Sequence, residues 1–206
     1  MEQGNCWYAS QTFTDIPAED GRRILIPWGQ MATPGMPFNQ MMGVPVELTL
    51  RTTEEGPRLL AYPVKEHPSL RAKSHTIQPQ PLNPGENPLA AIKGELIDPT
   101  AELILGDAVE LGFNLRGVRV SYNAKKQELS CMDKKAVLKP ADGKIRLRLM
   151  VDRTSVDIFG NDGRLYMPMG AIVPQDNLSL EVYATNGSAK IDALEVHKLK
   201  SAWTSQ

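Results

Sequence analysis

The sequence predicts an all-β protein built from antiparallel strands, and three observations support this. From Ile145 to Val151, apolar residues alternate with Arg and Met side chains, which is the period-two pattern of a strand with one buried face. Turn formers follow at once, because Asp152 to Ser155 suit one turn and Asn161-Asp162-Gly163 offers positive-φ residues for a second. Sixteen Gly and sixteen Pro in 206 residues fit a chain with many turns.

The first third of the chain reads as short strands. Arg23 to Trp28 is mostly apolar and follows a predicted hairpin turn at Glu19-Asp20-Gly21. Val46 to Leu50 alternates apolar and polar residues, and Leu59 to Tyr62 returns after a turn. Between these strand groups, Ala32 to Gly43 is rich in Gly, Pro and Met and is expected to form a long ordered loop.

The middle of the chain separates two strand-rich regions. Residues 64–74 carry a modest helical pattern that Pro68 limits to a short turn. Gln78 to Pro88 contains four Pro and is expected to be a linker or an extended edge segment. From about residue 89, strands recur at the spacing of a β-sandwich. They are expected at Ala90–Leu96, Ala101–Leu105, Ala108–Leu115, Gly117–Asn123, Glu128–Cys131, Lys144–Val151, Ser155–Phe159, Leu165–Pro168, Leu178–Ala184 and Ala189–Lys198.

Composition excludes several classes of function. A net charge of −1 without a run of Lys or Arg argues against nucleic acid as a partner. No apolar run approaches the length that spans a membrane, so no membrane partner is expected. The segment Met1 to Cys6 lacks the basic start and apolar core of a signal peptide. Cys6 and Cys131 fall in different predicted units and are expected to be unpaired.

Two blocks of sequence carry a family resemblance. Residues 151–167, VDRTSVDIFGNDGRLYM, resemble the closing β-sandwich of glycoside hydrolase family 32, the invertases, levanases and inulinases. Residues 7–65 contain WYASQTFTDIP, GRRILIPWGQ, PGMPFNQMMGVPVELTLRT and GPRLLAYPVK, in that order, and this series resembles the end of the family's five-bladed β-propeller.

The resemblance implies a fold and its division. We expect the last part of a five-bladed β-propeller followed by a C-terminal antiparallel β-sandwich. Residues 1–66 are then the terminal portion of the propeller, 67–88 a linker and 89–206 the sandwich.

The family's three acidic motifs are absent from this sequence. They hold a nucleophile Asp, a stabilising Asp in Arg-Asp-Pro and an acid/base Glu in Glu-Cys, and they normally lie before the segment that corresponds to Tyr8 to Phe13. Retaining hydrolysis needs two carboxyl groups about 5–5.5 Å apart across the scissile bond. The expected function is therefore a C-terminal part of a fructan or sucrose hydrolase, inactive alone and with no catalytic residue of its own. The alternative is a stand-alone carbohydrate-binding or structural sandwich module.

Four residues are candidates for substrate binding by resemblance. Trp28 resembles a Trp that lines the family's sugar pocket, although Pro27 stands where relatives usually have Gly and a buried structural role remains open. Tyr8 and Gln11 lie in a segment that enters the propeller near its funnel, where a structural role for Tyr8 is the alternative. Asn39 lies in a loop that reaches the funnel rim or only stabilises itself.

No metal or cofactor is expected. The Asp residues at 152, 157 and 162 look like a carboxylate cluster, but the first and last are placed in turns and Asp157 on the outer face of a strand. The three His residues have no ligand spacing. The expected partners are fructan or sucrose through the complete enzyme, and an N-terminal propeller half or a second copy of the chain. The localisation is unknown, and a secreted or periplasmic parent is compatible with the resemblance.

Overall fold

The computed structural model describes residues 2–53 and 55–202. Strands dominate this part of the chain, and its single helix is a 3-10 turn at His67–Leu70. The strands are β1 Tyr8–Thr12, β2 Arg23–Gly29, β3 Met41–Met42, β4 Val46–Thr53, β5 Gly56–Pro63, β6 Arg71–Ile77, β7 Gln80–Leu82, β8 Ile97–Ile104, β9 Glu110–Leu115, β10 Val118–Asn123, β11 Glu128–Cys131, β12 Lys134–Val137, β13 Lys144–Val151, β14 Ser155–Gly160, β15 Leu165–Gly170, β16 Leu180–Thr185 and β17 Ala189–Leu199.

The N-terminal strands form one antiparallel sheet, which we call the blade. Its order is β1-β2-β4-β5, with the short β3 paired to β2. A four-stranded antiparallel sheet of this kind is the unit from which β-propellers are built. The β4–β5 hairpin is regular from the Val46–Pro63 pair to the Thr53–Gly56 pair.

The rest of the chain forms a two-sheet sandwich. One sheet has five strands in the order β12-β11-β10-β9-β16, and the other has seven, with β15-β14-β13-β8-β17-β6 in sequence and β7 beside β17. Alternate residues of facing strands enter one buried core, in which Phe113 and Tyr122 come from the five-stranded sheet and Leu149 and Ile158 from the seven-stranded sheet. The predicted all-β class, with a blade-like sheet followed by an antiparallel sandwich, is confirmed.

Several predicted elements differ from the structure. Ala90–Leu96 is not a strand, because it is a turn held by a single bridge between Lys93 and Ser179. Within it, Ile92 is buried in the core, whereas Ala90 and Ala91 are exposed. Lys134–Val137 is a strand that was not predicted, because two of its four residues are lysines. Inside the segment predicted as a linker, β6 and β7 both pair with β17, so these residues form an edge of the seven-stranded sheet.

Asp157 lies on the outer face of its strand, as predicted, because its neighbours Val156 and Ile158 enter the core between the two sheets, but this outer face is not open to water. All six residues of β14 are buried, and Asp157 is 2% exposed. One face of β14 meets the five-stranded sheet, while the other face meets the blade and the segment before it. A second core cluster marks that contact: Leu25, Val46 and Ala61 of the blade pack with Met150, Phe159 and Tyr166 of the sandwich.

Charge on the inner face of β14 should break the sandwich. Val156 is fully buried between the two sheets, whereas Val137 on the edge strand β12 is 68% exposed. We expect Val156→Asp to lower the free energy of unfolding by about 4 kcal/mol or more, because it places a carboxylate in an apolar core. Val137→Asp, the matched control, should change it little. Chemical denaturation of both variants measures the difference, and equal effects would contradict this arrangement of faces.

Candidate functional site

Three of the four predicted sugar-binding residues share one face of the blade. Tyr8 pairs with Trp28 and Gln11 pairs with Ile26 in the β1–β2 ladder. Residues three apart on a regular strand point to opposite faces, but the register shifts between Tyr8 and Gln11. This bulge inserts one extra residue into β1. The side chains of Tyr8 and Gln11 therefore lie on the same face of the blade, opposite Trp28 and Ile26 respectively.

This face is largely unpartnered within the described chain. Tyr8 is 54% exposed, and its ring meets the half-buried Trp28 edge to face, with 5.6 Å between centroids. Met42, the partner of Trp28 on the other side of β2, is 60% exposed. An exposed aromatic and apolar surface of this kind marks a binding or assembly surface.

Asn39 lies apart from that group, in the loop before β3. The loop is organised by the buried Thr33, whose hydroxyl donates to the Phe38 carbonyl at 2.7 Å and accepts from the Gln40 amide at 3.1 Å. Asn39 is exposed. The self-stabilising loop expected from the sequence is present, but a threonine rather than the asparagine supplies it.

The blade meets the sandwich through stacked aromatic rings. Phe159 and Tyr166 lie parallel at 4.5 Å, Trp7 contacts Tyr166 edge to face at 5.3 Å, and Tyr62 of β5 contacts Phe159 in the same way at 5.8 Å. The backbones also touch, because the Ala61 amide donates to the Gly163 carbonyl at 3.1 Å. Gly163 has φ +88°, and a Cβ there would lie 2.6 Å from the Ala61 oxygen. We call this contact region the junction.

A buried charged cluster adjoins the junction. Asp98 of β8 is fully buried and accepts from both Arg148 (2.8 and 2.9 Å) and Arg71 (2.7 and 3.0 Å). The guanidinium of Arg148 also lies 5.5 Å from the ring centroid of Tyr62. His67 approaches from the 3-10 turn, with its Nδ1 3.4 Å from an Arg148 nitrogen. The cluster thus ties three strands of the sandwich to the chain that leaves the blade.

The protonation of this cluster follows from burial and charge. Burial alone would raise the pKa of Asp98, but hydrogen bonds from Arg148 and Arg71 bring it below its ordinary value. Burial lowers the pKa of His67 to about 4, and the Asp98 charge opposes this only in part. His67 is therefore neutral near pH 7, which suits the contact of its Nδ1, as acceptor, with Arg148.

A groove runs between the β4–β5 hairpin and the outer face of the seven-stranded sheet. It comprises two adjoining cavities of about 210 and 500 Å³ that share Tyr62, Arg148 and Asp162. The acid Glu102 on its floor is paired with Arg146 at 3.3 Å. A glycosidase general acid requires a raised pKa. Burial raises the pKa of Asp157, but this carboxyl does not line the groove.

The sequence patterns did not identify the charged residues that lie together beside the junction. Asp98 is preceded by an apolar residue and followed by Pro99, and the alternating pattern of Arg146 and Arg148 suggested a solvated face. Arg148 is in fact 6% exposed. The three Asp residues at 152, 157 and 162 do not form a metal site. Within residues 2–53 and 55–202, no His, Cys, Asp and Glu side chains are grouped as a metal ion would need.

Cys6 and Cys131 are both free and buried. Burial raises the pKa of each thiol to about 12. In the described part of the chain, no helix is long and apolar enough to cross a membrane.

Sequence comparisons point to one family. The family model "Glycosyl hydrolases family 32 C terminal" matches residues 66–198. A levanase of Bacillus subtilis is 32% identical over 98% of the chain, and the match covers 34% of the levanase. A raffinose invertase of Escherichia coli is 28% identical over 92% of the chain and is covered over 41% of its length.

Solved structures share the fold. An exo-inulinase from Aspergillus awamori superposes with a TM-score of 0.82 at 19% identity, covering 98% of this chain and 44% of that one. A fructan 1-exohydrolase from Cichorium intybus gives 0.76 at 18% identity, with 98% and 49% covered. The chain therefore spans between about a third and a half of the length of these proteins.

Neutralising the buried acid of the charged cluster should destabilise the chain. Asp98→Asn leaves Arg148 and Arg71 without their carboxylate, and the loss of one partner of a buried pair costs about 3–5 kcal/mol of unfolding free energy. Asp192→Asn is the matched control, because Asp192 is a half-buried acid on the same sheet, paired with Lys144. Chemical denaturation should show a large loss for the first variant and little change for the second. Similar midpoints for the two variants would contradict a structural role for the cluster.

Proposed function

The chain belongs to glycoside hydrolase family 32, and we propose that it is the C-terminal part of a fructan or sucrose hydrolase, comprising the last propeller blade and the sandwich that supports it. In the complete enzyme, the proposed reaction is retaining hydrolysis of β-fructofuranosidic bonds. The name of the levanase, with 98% of this chain aligned to it, supports this substrate class.

The blade is the observation that carries the proposal. A blade leaves one sheet face to be covered by neighbouring blades, and here the face with Tyr8, Trp28 and Met42 is open. An independent binding module has no use for a single blade with an uncovered apolar face. A part of a propeller enzyme requires one.

The substrate-binding role that we propose follows the geometry of this face. Trp28 and Tyr8 meet edge to face on this surface, and an aromatic face packs on the apolar hydrogens of a sugar ring. Gln11 lies on the same face through the bulge and offers an amide to a sugar hydroxyl. Asn39 is exposed in the loop before β3, apart from this face, and its proposed contact with sugar rests on the family resemblance alone. These residues position sugar, and the reacting carboxylates belong to the remainder of the propeller.

The chain alone should release no fructose from sucrose, levan or inulin above background. Retaining hydrolysis requires a nucleophile and a raised-pKa acid on either side of the bond, and removing members of such a constellation already costs orders of magnitude in rate. A coupled assay for free fructose on the purified chain tests this. Release that disappears on mutating a residue of this chain would overturn the proposal.

Activity should appear when the chain is mixed with an N-terminal segment that carries the three acidic motifs. The open blade face and the free edge of β1 should then be covered by neighbouring strands. Trp28→Ala should reduce the activity of the mixture at least tenfold without preventing association. The control Leu50→Ala removes a 70% exposed side chain in the outer half of the β4–β5 hairpin and should leave activity unchanged.

The competing outcomes of that mixture are distinct. Failure to associate, together with binding of levan by the chain alone in isothermal calorimetry, would favour a stand-alone carbohydrate-binding module. Self-association of the chain that blocks the segment would identify a second copy as the occupant of the open face.

A further inference from the structure

Asp157 is a buried acid that has no cationic partner within residues 2–53 and 55–202. Its carboxyl lies on the face of β14 that meets the blade, between its cross-strand neighbours Met150 and Pro168. It accepts a hydrogen bond of 2.8 Å from the Tyr166 hydroxyl, and Tyr166 is itself fully buried. Transfer of an unpaired carboxylate from water to such a site is strongly unfavourable, so the protonated form is favoured there.

The groups around Asp157 are neutral or acidic. The hydroxyls of Tyr166 and Ser155 face it from β15 and from its own strand, and the Asp152 carboxylate faces it from the preceding turn. The segment before the blade brings the Cys6 thiol, which donates to the Pro168 carbonyl at 3.6 Å, and Glu2. No lysine, arginine or histidine of the described residues is among the groups that act on it.

We propose that the junction between blade and sandwich is proton-linked, with Asp157 protonated when the blade is docked and its ionisation loosening the blade. Asp157 is linked to the blade contact through Tyr166. The Tyr166 hydroxyl donates to Asp157, and Trp7 and Phe159 pack against the Tyr166 ring. An ionised Asp157 attracts water, and water reaches it only if these rings separate. The proposal is independent of the hydrolytic function.

The direction of the pH effect is fixed. Burial raises the pKa of Asp157 from 3.8 to about 6, partly opposed by hydrogen bonds from Tyr166 and Ser155. The folded chain therefore binds this proton more tightly than the unfolded chain does. The resulting stabilisation is complete below about pH 4 and is lost as the pH rises through about 6.

His67 contributes with the opposite sign. Its pKa falls from 6.5 to about 4 on folding, so its contribution is present above about pH 6.5 and is lost as the pH falls toward 4. The two effects offset one another between pH 4 and 6. The pH dependence of the total free energy of unfolding therefore does not isolate Asp157, and the titration of its carboxyl must be measured directly.

The direct test is a carbon-13 titration of the carboxyl groups of the labelled chain, with the Asp157 resonance assigned from Asp157→Asn. We expect a midpoint near pH 6. Tyr166→Phe should raise this midpoint further, because the Tyr166 hydroxyl stabilises the ionised carboxylate and the variant lacks it. Asp133→Asn, which changes an exposed acid in the β11–β12 turn, should not move it. A midpoint at or below about 4 in the wild-type chain would overturn the proposal without any variant being needed.

Two further readouts connect the proton to the blade. Relative to Asp157→Asn, the unfolding equilibrium constant of the wild-type chain should rise roughly thirtyfold between pH 4.5 and 7.5. Repeating the comparison in a His67→Gln background removes the opposing contribution. The indole N–H resonance of Trp7 should shift with the Asp157 midpoint in the wild-type chain and stay still in Asp157→Asn. If the Trp7 indole resonance does not change across the Asp157 midpoint in the wild-type chain, the junction does not loosen when Asp157 ionises.

Discussion

The docking of the blade on the outer face of the seven-stranded sheet is the contact on which the rest of the structure depends. A sandwich sheet normally leaves its outer face to water, and here that face carries Phe159, Tyr166 and a buried carboxyl. Tyr62 of the blade and Trp7, in the segment just before it, cover these rings. Burial of an aromatic side chain contributes on the order of 2–3 kcal/mol, so a few such rings are enough to hold a small sheet in place.

The junction also explains the division of work between the two parts of the chain. The sandwich has its own closed core and needs no partner to bury it. The blade has one face on the sandwich and one face open, so it is positioned by the first and available through the second. For a family 32 enzyme this means that the sandwich fixes the orientation of the blade whose Trp28 and Tyr8 we propose to contact sugar. Loss of the junction would therefore change the orientation of the proposed sugar site, although the junction contains none of that site's residues.

Much of the fold was predictable because its signals are local. The alternation in β13 and the turn at Asn161-Asp162-Gly163 were both found, and all three turn residues have positive φ. Strand Arg71–Ile77 was missed because an edge strand with Ala, Lys, Ser and His lacks alternation. The junction was missed for a different reason, since the burial of Asp157 and Arg148 depends on the blade, and a period-two pattern cannot report that a second layer covers the polar side of a strand.

The sugar-facing group shows the same limit at a smaller scale. Trp28 and Tyr8 were nominated through family resemblance, and their pairing in the structure follows from the β1–β2 register. That Gln11 shares their face depends on a one-residue bulge next to Ala9, whose φ is +39°. A bulge has no sequence signal in this segment, so the face of Gln11 could not have been assigned from spacing alone.

Native-state hydrogen exchange at the Ala61 amide tests most directly whether the junction holds the blade. This amide donates across the junction to Gly163, so it opens only when blade and sandwich part. The account predicts that Ala61 is protected to a level close to that of the β14 amides, while the amides of β1 exchange sooner. Exchange of Ala61 as fast as that of β1, with β14 still protected, would show that the blade is not held by this contact.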